Sequence, residues 1–288
     1  MSRNFACSAA ALVLLPVWSL TAAADPAAVD KSAYTLFNRT PESQLRELTT
    51  DRPDVTESPY TVDAGWWQVE MDLVARTHDH NLSNGSDISS SALSFATINL
   101  RVGLTSSIDL QTVFATYNRL KVRDRMAGTR QDSSGFGDVT SRLKINFWGN
   151  DGGASAFGLL PFVKWPTSQH GLGNNSVEGG LIVPYARNLP HGWDLGAMTE
   201  FDVMRNETDN GYIFEWVNTV TAGHALTENI SFYVELATTL THGADLATFD
   251  FGFMYTIGKN LQLDVGTNVG LTHAADDLNV FAGLSVRF

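Results

Sequence analysis

The stretch HDHNLSNGSD at residues 78 to 87 holds a base, a hydroxyl and an amide, His80, Ser83 and Asn84, within five residues. Such a set is raw material for acyl transfer, in which a histidine takes the proton of a serine while an amide steadies the developing charge. His78 and His80 also offer two imidazoles to a metal. Neither chemistry comes with its supporting parts. The surroundings are polar and loop-like, nothing orients base against nucleophile, and no further His or Cys stands beside the pair. Catalysis, a cofactor and a metal are therefore not expected.

A larger set of chemistry-bearing residues is spaced by two. Arg142 and Lys144, or Glu200 and Asp202, alternate with apolar neighbours, which puts each pair on one face of an extended strand. Arg76, Arg101, Lys164, Asp194, Glu215, Glu235, Asp250 and Asp264 fall on the equivalent faces of their own segments. The basic members come early in the chain and the acidic ones late, with Glu70, Asp72 and Asp109 as early exceptions. If these faces line one interior, opposite walls carry largely opposite charge, and the resulting transverse field favours polar solutes. The plainer reading is that the charges pair and fill a narrow bore. Phe162, Ile182, Met198, Val217, Tyr233, Met254 and Phe281 share the same register and offer apolar contact, unless a one-residue bulge turns part of a strand the other way.

The elements that must position these residues are strands. Leu278, Val280, Ala282, Leu284, Val286 and Phe288 take one face of the last segment, and Phe249, Phe251, Phe253, Tyr255 and Ile257 one face of another. Twelve such segments are expected, at 65–76, 91–103, 108–120, 137–149, 154–166, 177–187, 193–205, 212–225, 230–240, 248–257, 261–271 and 278–288. Short connections alternate with longer ones rich in Ser, Asn and Gly, such as Thr77 to Ser90 and Lys121 to Phe136. In a soluble barrel the apolar face points inward; in a membrane barrel it meets lipid and the polar face lines the lumen. Here glycines and charges gather on one face, and aromatics cluster near strand ends: Trp66, Trp67, Phe147, Trp148, Tyr185, Trp193, Phe232, Tyr255 and Phe288 toward the short turns, Trp165, Phe214, Trp216, Phe249 and Phe251 toward the loops. The expectation is an all-β chain: a transmembrane antiparallel up-and-down β-barrel of about twelve strands, of the outer-membrane type.

The ends agree with this. Residues 1–24 combine Arg3, an apolar run near Ala9 to Leu20 and Ala22-Ala23-Ala24, the form of a cleaved export signal, which implies the outer membrane of a Gram-negative bacterium. The single cysteine, Cys7, lies in that segment, so the exported chain is neither a disulfide scaffold nor a thiol enzyme. The formal charge of −12 becomes one unit more acidic without Arg3, and nucleic-acid binding is not expected. Expected partners are outer-membrane lipid, small-molecule solutes and the β-barrel assembly machinery, for which the terminal Phe288 resembles the assembly signal. Residues 25–64 form a periplasmic or lumen-contacting extension, and residues 65–288 the barrel.

Three stretches carry a family resemblance: TDRPDVTESPYTVDAGWWQVE (50–70), SGFGDVTSRLKINFWG (134–149) and LLPFVKWPTSQHGLG (159–173). They resemble the bacterial outer-membrane proteins grouped under the MetA pathway of phenol degradation, often described as transporters. Asp51, Arg52, Pro53, Asp54, Glu57, Ser58 and Pro59 make the most specific part of the match. What the resemblance implies is a transporter or passive conduit for small solutes, aromatic ones among them. The alternatives are a non-conducting structural or surface-interaction barrel and an outer-membrane lipid-modifying enzyme. The His80, Ser83, Asn84 set is one residue longer than the His-x-Ser-Asn type of spacing found in outer-membrane lipases.

Overall fold

The computed structural model describes residues 30–83, 86–206, 211–241 and 244–288. The expected export signal at 1–24 lies outside the described residues. The strands are β1 (Trp67–Ser83), β2 (Ser86–Thr105), β3 (Ile108–Asp124), β4 (Thr129–Gly135), β5 (Val139–Trp148), β6 (Ser155–Trp165), β7 (Glu178–Asn188), β8 (Trp193–Arg205), β9 (Tyr212–Ala225), β10 (Ile230–Thr241), β11 (Ala244–Ile257), β12 (Leu261–Gly270) and β13 (Leu278–Arg287). Sequence neighbours pair antiparallel, except that β4 and β5 both pair with β3, and β1 pairs with β13 from Gln68↔Arg287 to His78↔Leu278. The sheet therefore closes on itself through β1 and β13, as hydrocarbon surroundings require. Phe288 completes the seam: its N–H donates to the Trp67 carbonyl at 2.9 Å and its carbonyl accepts from the Trp67 N–H at 3.0 Å.

These thirteen strands make twelve staves, because β4 and β5 share one. β5 pairs with the lower half of β3, as far as Phe114↔Val139, and β4 with the upper half, from Asn118↔Gly135. The single strand expected over 137–149 is thus the lower piece of an interrupted stave. The break falls at 136–138, where Gly137 donates to the Ala115 carbonyl at 2.8 Å and a Cβ on it would lie 2.6 Å from that of Ala115.

Which face is apolar decides the environment. Phe251, Phe253, Tyr255, Leu263 and Val265 are exposed on the outside, while Arg101, Lys144, Asp109 and Asp250 are fully buried on the inside. A water-soluble barrel shows the opposite arrangement. Aromatics ring the outer face at both ends: Trp148 stacks on Phe157 with centroids 4.8 Å apart near the short turns, and Phe201 stacks on Trp216 at 6.3 Å nearer the loops. Trp66 is a correction to the expected belt. It is 3 % exposed, its Nε1 donates to the Thr40 carbonyl at 2.8 Å, and the Arg39 guanidinium covers its ring at 3.4 Å.

Two further expectations change. Much of the connections 77–90 and 121–136 is strand: β1 and β2 run on to Ser83 and Ser86, and β3 and β4 to Asp124 and Thr129. Crossing a membrane takes about ten residues of a tilted strand, so the 17-residue β1 and 20-residue β2 project well beyond it. Polar composition reads as loop because no buried face imposes alternation there; hairpin pairing supplies the order instead. Second, β1 bulges at Leu73, where the register with β13 shifts between Asp72 and Val74. Arg76, expected to face inward, consequently lies opposite Val280 and Leu93 and is exposed on the outer face.

Candidate functional site

The site is the lumen, and the chain fills much of it with its own N-terminal segment. Residues 30–66 contain one 3₁₀ turn, Glu42–Gln44, and short bridges such as Ala64 to Gly103. The segment rises from the short-turn mouth to a tip at residues 51–59. Inward glycines make the seat. A Cβ on Gly103 would lie 2.1 Å from the Asp63 carbonyl oxygen, one on Gly158 3.3 Å from that of Pro59, and one on Gly283 2.2 Å from Arg52 Nη2. Only the absence of a side chain at these positions lets the segment approach.

The tip is held by charge. Arg101 pairs with Asp51 at 2.8 Å, Glu70 at 2.7 Å and Asp109 at 2.7 Å, and also donates to the Tyr60 carbonyl at 2.9 Å. Lys144 meets Asp51, and Arg142 meets Glu57. Arg52 turns the other way, between Asp72 of β1 and Asp264 of β12, the latter at 2.7 Å, with Phe281 5.6 Å beneath its guanidinium. Glu235 accepts the backbone N–H groups of Val55 and Thr56 at 2.8 Å each, and the Thr56 and Thr219 hydroxyls are 2.6 Å apart. Ser58 donates to Asp51 at 2.7 Å, and the Pro59 carbonyl accepts from Asn146 at 2.9 Å. Pro53 carries the turn between these contacts through a cis Arg52–Pro53 peptide.

The segment therefore complements the walls in sign. Asp51 and Glu57 face the basic strands β2 and β5, and Arg52 faces the acids of β1 and β12, whereas Asp54 sits beside Glu235 of β10. The transverse field read from the bare strands is discharged at this level by the plug. Burial would raise the Asp51 carboxyl, but Arg101 and Lys144 hold it well below the usual range. Asp54 has no ion pair among the described residues: burial, and then Glu235 beside it, push its carboxyl well above that range.

The remaining residues singled out in the sequence divide by height. Below the tip, Asp194 and Met254 line a cavity of about 540 Å³ that opens between the plug and β7–β11 toward the short-turn mouth, together with Tyr60 and Tyr233. At the tip, Asp250 is buried opposite Glu235 in the ladder and accepts from Thr248 at 3.1 Å. Above it, Lys164 pairs with Glu178 at 2.6 Å, whereas Glu200, Asp202 and Glu215 have no ion pair among the described residues. Ile182 and Met198 pack with Leu160, Phe162 and Val217 as an apolar patch on the inner wall. Leu160 was missed although it shares the even-numbered register of Phe162; the bracing glycines and the plug-to-wall pairings were missed because sequence order says nothing about who faces whom across a bore.

On the projecting hairpin the His80 ring meets Asp87 Oδ1 at 2.8 Å. Asn84 lies outside the described residues.

With this geometry in hand, three comparisons bear on the chain. A family model described as "Putative MetA-pathway of phenol degradation" matches residues 50–288. The COG4313 outer membrane channel from Pseudomonas putida F1 is similar in structure, with a TM-score of 0.60 at 14 % identity over 83 % of this chain and 100 % of that one. The translocator domain of the autotransporter NalP from Neisseria meningitidis gives 0.51 at 7 % identity, over 77 % and 88 %. No curated protein sequence matches the chain. At these identities the likeness is one of fold: a closed, antiparallel outer-membrane barrel of twelve staves.

Proposed function

The chain belongs to the family described as the "Putative MetA-pathway of phenol degradation", and from that premise we propose that it is an outer-membrane channel for small solutes, aromatic ones among them, closed at rest by its own N-terminal segment. The observation that carries this reading is what fills the bore. Wall side chains do not fill it; a separate stretch of chain does, held at its tip by ion pairs and hydrogen bonds and leaving a cavity of about 540 Å³ on the short-turn side. Contacts of that kind exchange with water far more readily than an apolar core does. The neighbouring outer membrane channel of similar fold and the apolar patch on the inner wall both support a conduit, and the patch supports solutes with an aromatic body. Export by the signal at 1–24 and reading of Phe288 by the assembly machinery belong to the same proposal, supported by the residue pattern of the one and the seam position of the other.

The test is solute influx into liposomes carrying the refolded chain 25–288, beside a chain lacking residues 25–64, both checked for heat-resistant folding. Selective influx of phenols and arylalkyl solutes over sugars, faster without the plug, is the expected result. No influx through either folded form would leave a structural barrel as the better reading.

A further inference from the structure

Above the plug tip, the inner wall of β6–β9 brings three carboxyl groups that have no ion pair among the described residues and an apolar patch into adjacent rows. Ladder pairing sets Leu160, Ile182, Glu200 and Val217 side by side in one row, and Phe162, Gly180, Asp202 and Glu215 in the next row toward the loops. Gly180 lies in the middle, and its lack of a side chain lets Asp202 and Phe162 close in over it. A Cβ there would lie 2.4 Å from Asp202 Oδ1 and 2.8 Å from Phe162 Cε1, so a carboxylate oxygen and a ring edge converge over the same bare backbone.

The nearby cations are engaged elsewhere: Arg142 with Glu57, and Lys164 with Glu178 at 2.6 Å. Asp202 is only 7 % exposed, yet its Oδ1 has no hydrogen-bond partner. A buried carboxylate oxygen without a donor is costly, and the missing partner is a donor, best a cationic one.

We propose that this patch is a binding site for a small organic monocation with an aromatic or aliphatic body, of the arylalkylammonium class. The ammonium sits among Asp202, Glu200 and Glu215, and the apolar body lies on Phe162 and Val217, which the buried Leu160 and Ile182 back. A neutral isostere keeps only the apolar contact, and an aryl carboxylate brings a further acid to a cluster that is already acidic. The inference deepens the channel reading by naming the solute class the outer lumen selects, and it rests on that reading for its place on a route.

The experiment is calorimetric titration of the folded chain 25–288 in detergent with three isosteres: 2-phenylethylammonium, 2-phenylethanol and phenylacetate. The ammonium is expected to bind at least tenfold more tightly than the alcohol, with phenylacetate undetected, and its affinity should fall as sodium chloride is raised. Asp202→Asn and Glu215→Gln should each weaken the ammonium at least tenfold and leave the alcohol unchanged, while Asp132→Asn on the projecting hairpin changes neither. Two separate carboxylate variants guard against one failing to fold. Equal binding of all three isosteres, or full affinity in both variants, overturns the site. Influx of neutral solutes into liposomes without ammonium binding would remove this site and leave the channel. Selective ammonium binding without influx of any solute would keep the site and remove the channel.

Discussion

Arg52 ion-pairs the plug tip to the acids Asp72 of β1 and Asp264 of β12, and replacing it tests whether charge holds the plug. In Arg52→Met the side chain keeps its bulk against Phe281, but Asp72 and Asp264 lose their shared cation. Removing one member of a buried pair costs about 3 to 5 kcal/mol. Asp264 is fully buried, but Asp72 is 24 % exposed; lumen water screens it, which brings the cost down to about 2 kcal/mol. That is about a 30-fold shift of the docked-to-undocked equilibrium. The assay is amide hydrogen exchange at Val55 and Thr56, whose N–H groups donate to Glu235 on β10, two staves from Asp264. Both amides should exchange about 30-fold faster, while strand amides of β9 and β10 stay protected, because the barrel does not unfold when its plug leaves. Adding Asp264→Asn should restore part of the protection, since the orphaned charge is then removed. Unchanged exchange at Val55 and Thr56, or equal acceleration through the strands, would refute a plug that docks as a unit through these ions.

Other outcomes follow from the same geometry. Gly283→Ala puts a Cβ where Arg52 Nη2 now lies, 2.2 Å away, so it should loosen the tip in the same exchange assay without altering heat-resistant migration of the barrel. Val265→Arg places a charge on the exposed outer face of β12 and should cost about 2 to 4 kcal/mol in a lipid-folding titration; in a soluble barrel the same change would be nearly neutral. Asp54 has a raised pKa when docked, so its contribution to docking is complete below the free carboxyl's pKa and is lost as pH rises through the docked value. Asp51, held low, acts oppositely, supporting docking above the free value and losing it only on strong acidification. Val55 protection, after correction for intrinsic exchange, should therefore decline toward alkaline pH in the parent chain, and Asp54→Asn should flatten that decline.

Much of the barrel is written in period-two alternation. Segments such as 261–271 and 278–288 were located to within a residue of β12 and β13, because one of their faces meets lipid and the other the lumen, and a register slip would invert both. Alternation weakens where neither face is apolar, which is why the projecting parts of β1 to β4 read as loops. It also fails at a bulge: nothing in LVAR marks Leu73 as an extra residue, and Arg76 changed sides with it. The inward sets on β5 to β9, with Lys144, Glu200, Asp202 and Phe162, were legible for the same reason the strands were.

What sequence alone determined is the alternating wall, its sign of charge along the chain and the unusual Asp51 to Pro59 stretch. Only tertiary structure decided that this stretch occupies the bore, that Arg52 answers Asp264 from 212 residues away, and that Arg142 and Lys164 are spoken for while Asp202 is not. Strand period is a local property, fixed by neighbours two residues apart. Who meets whom across a closed barrel depends on closure, register and the glycines that let a segment approach, and these exist only once all twelve staves are in place.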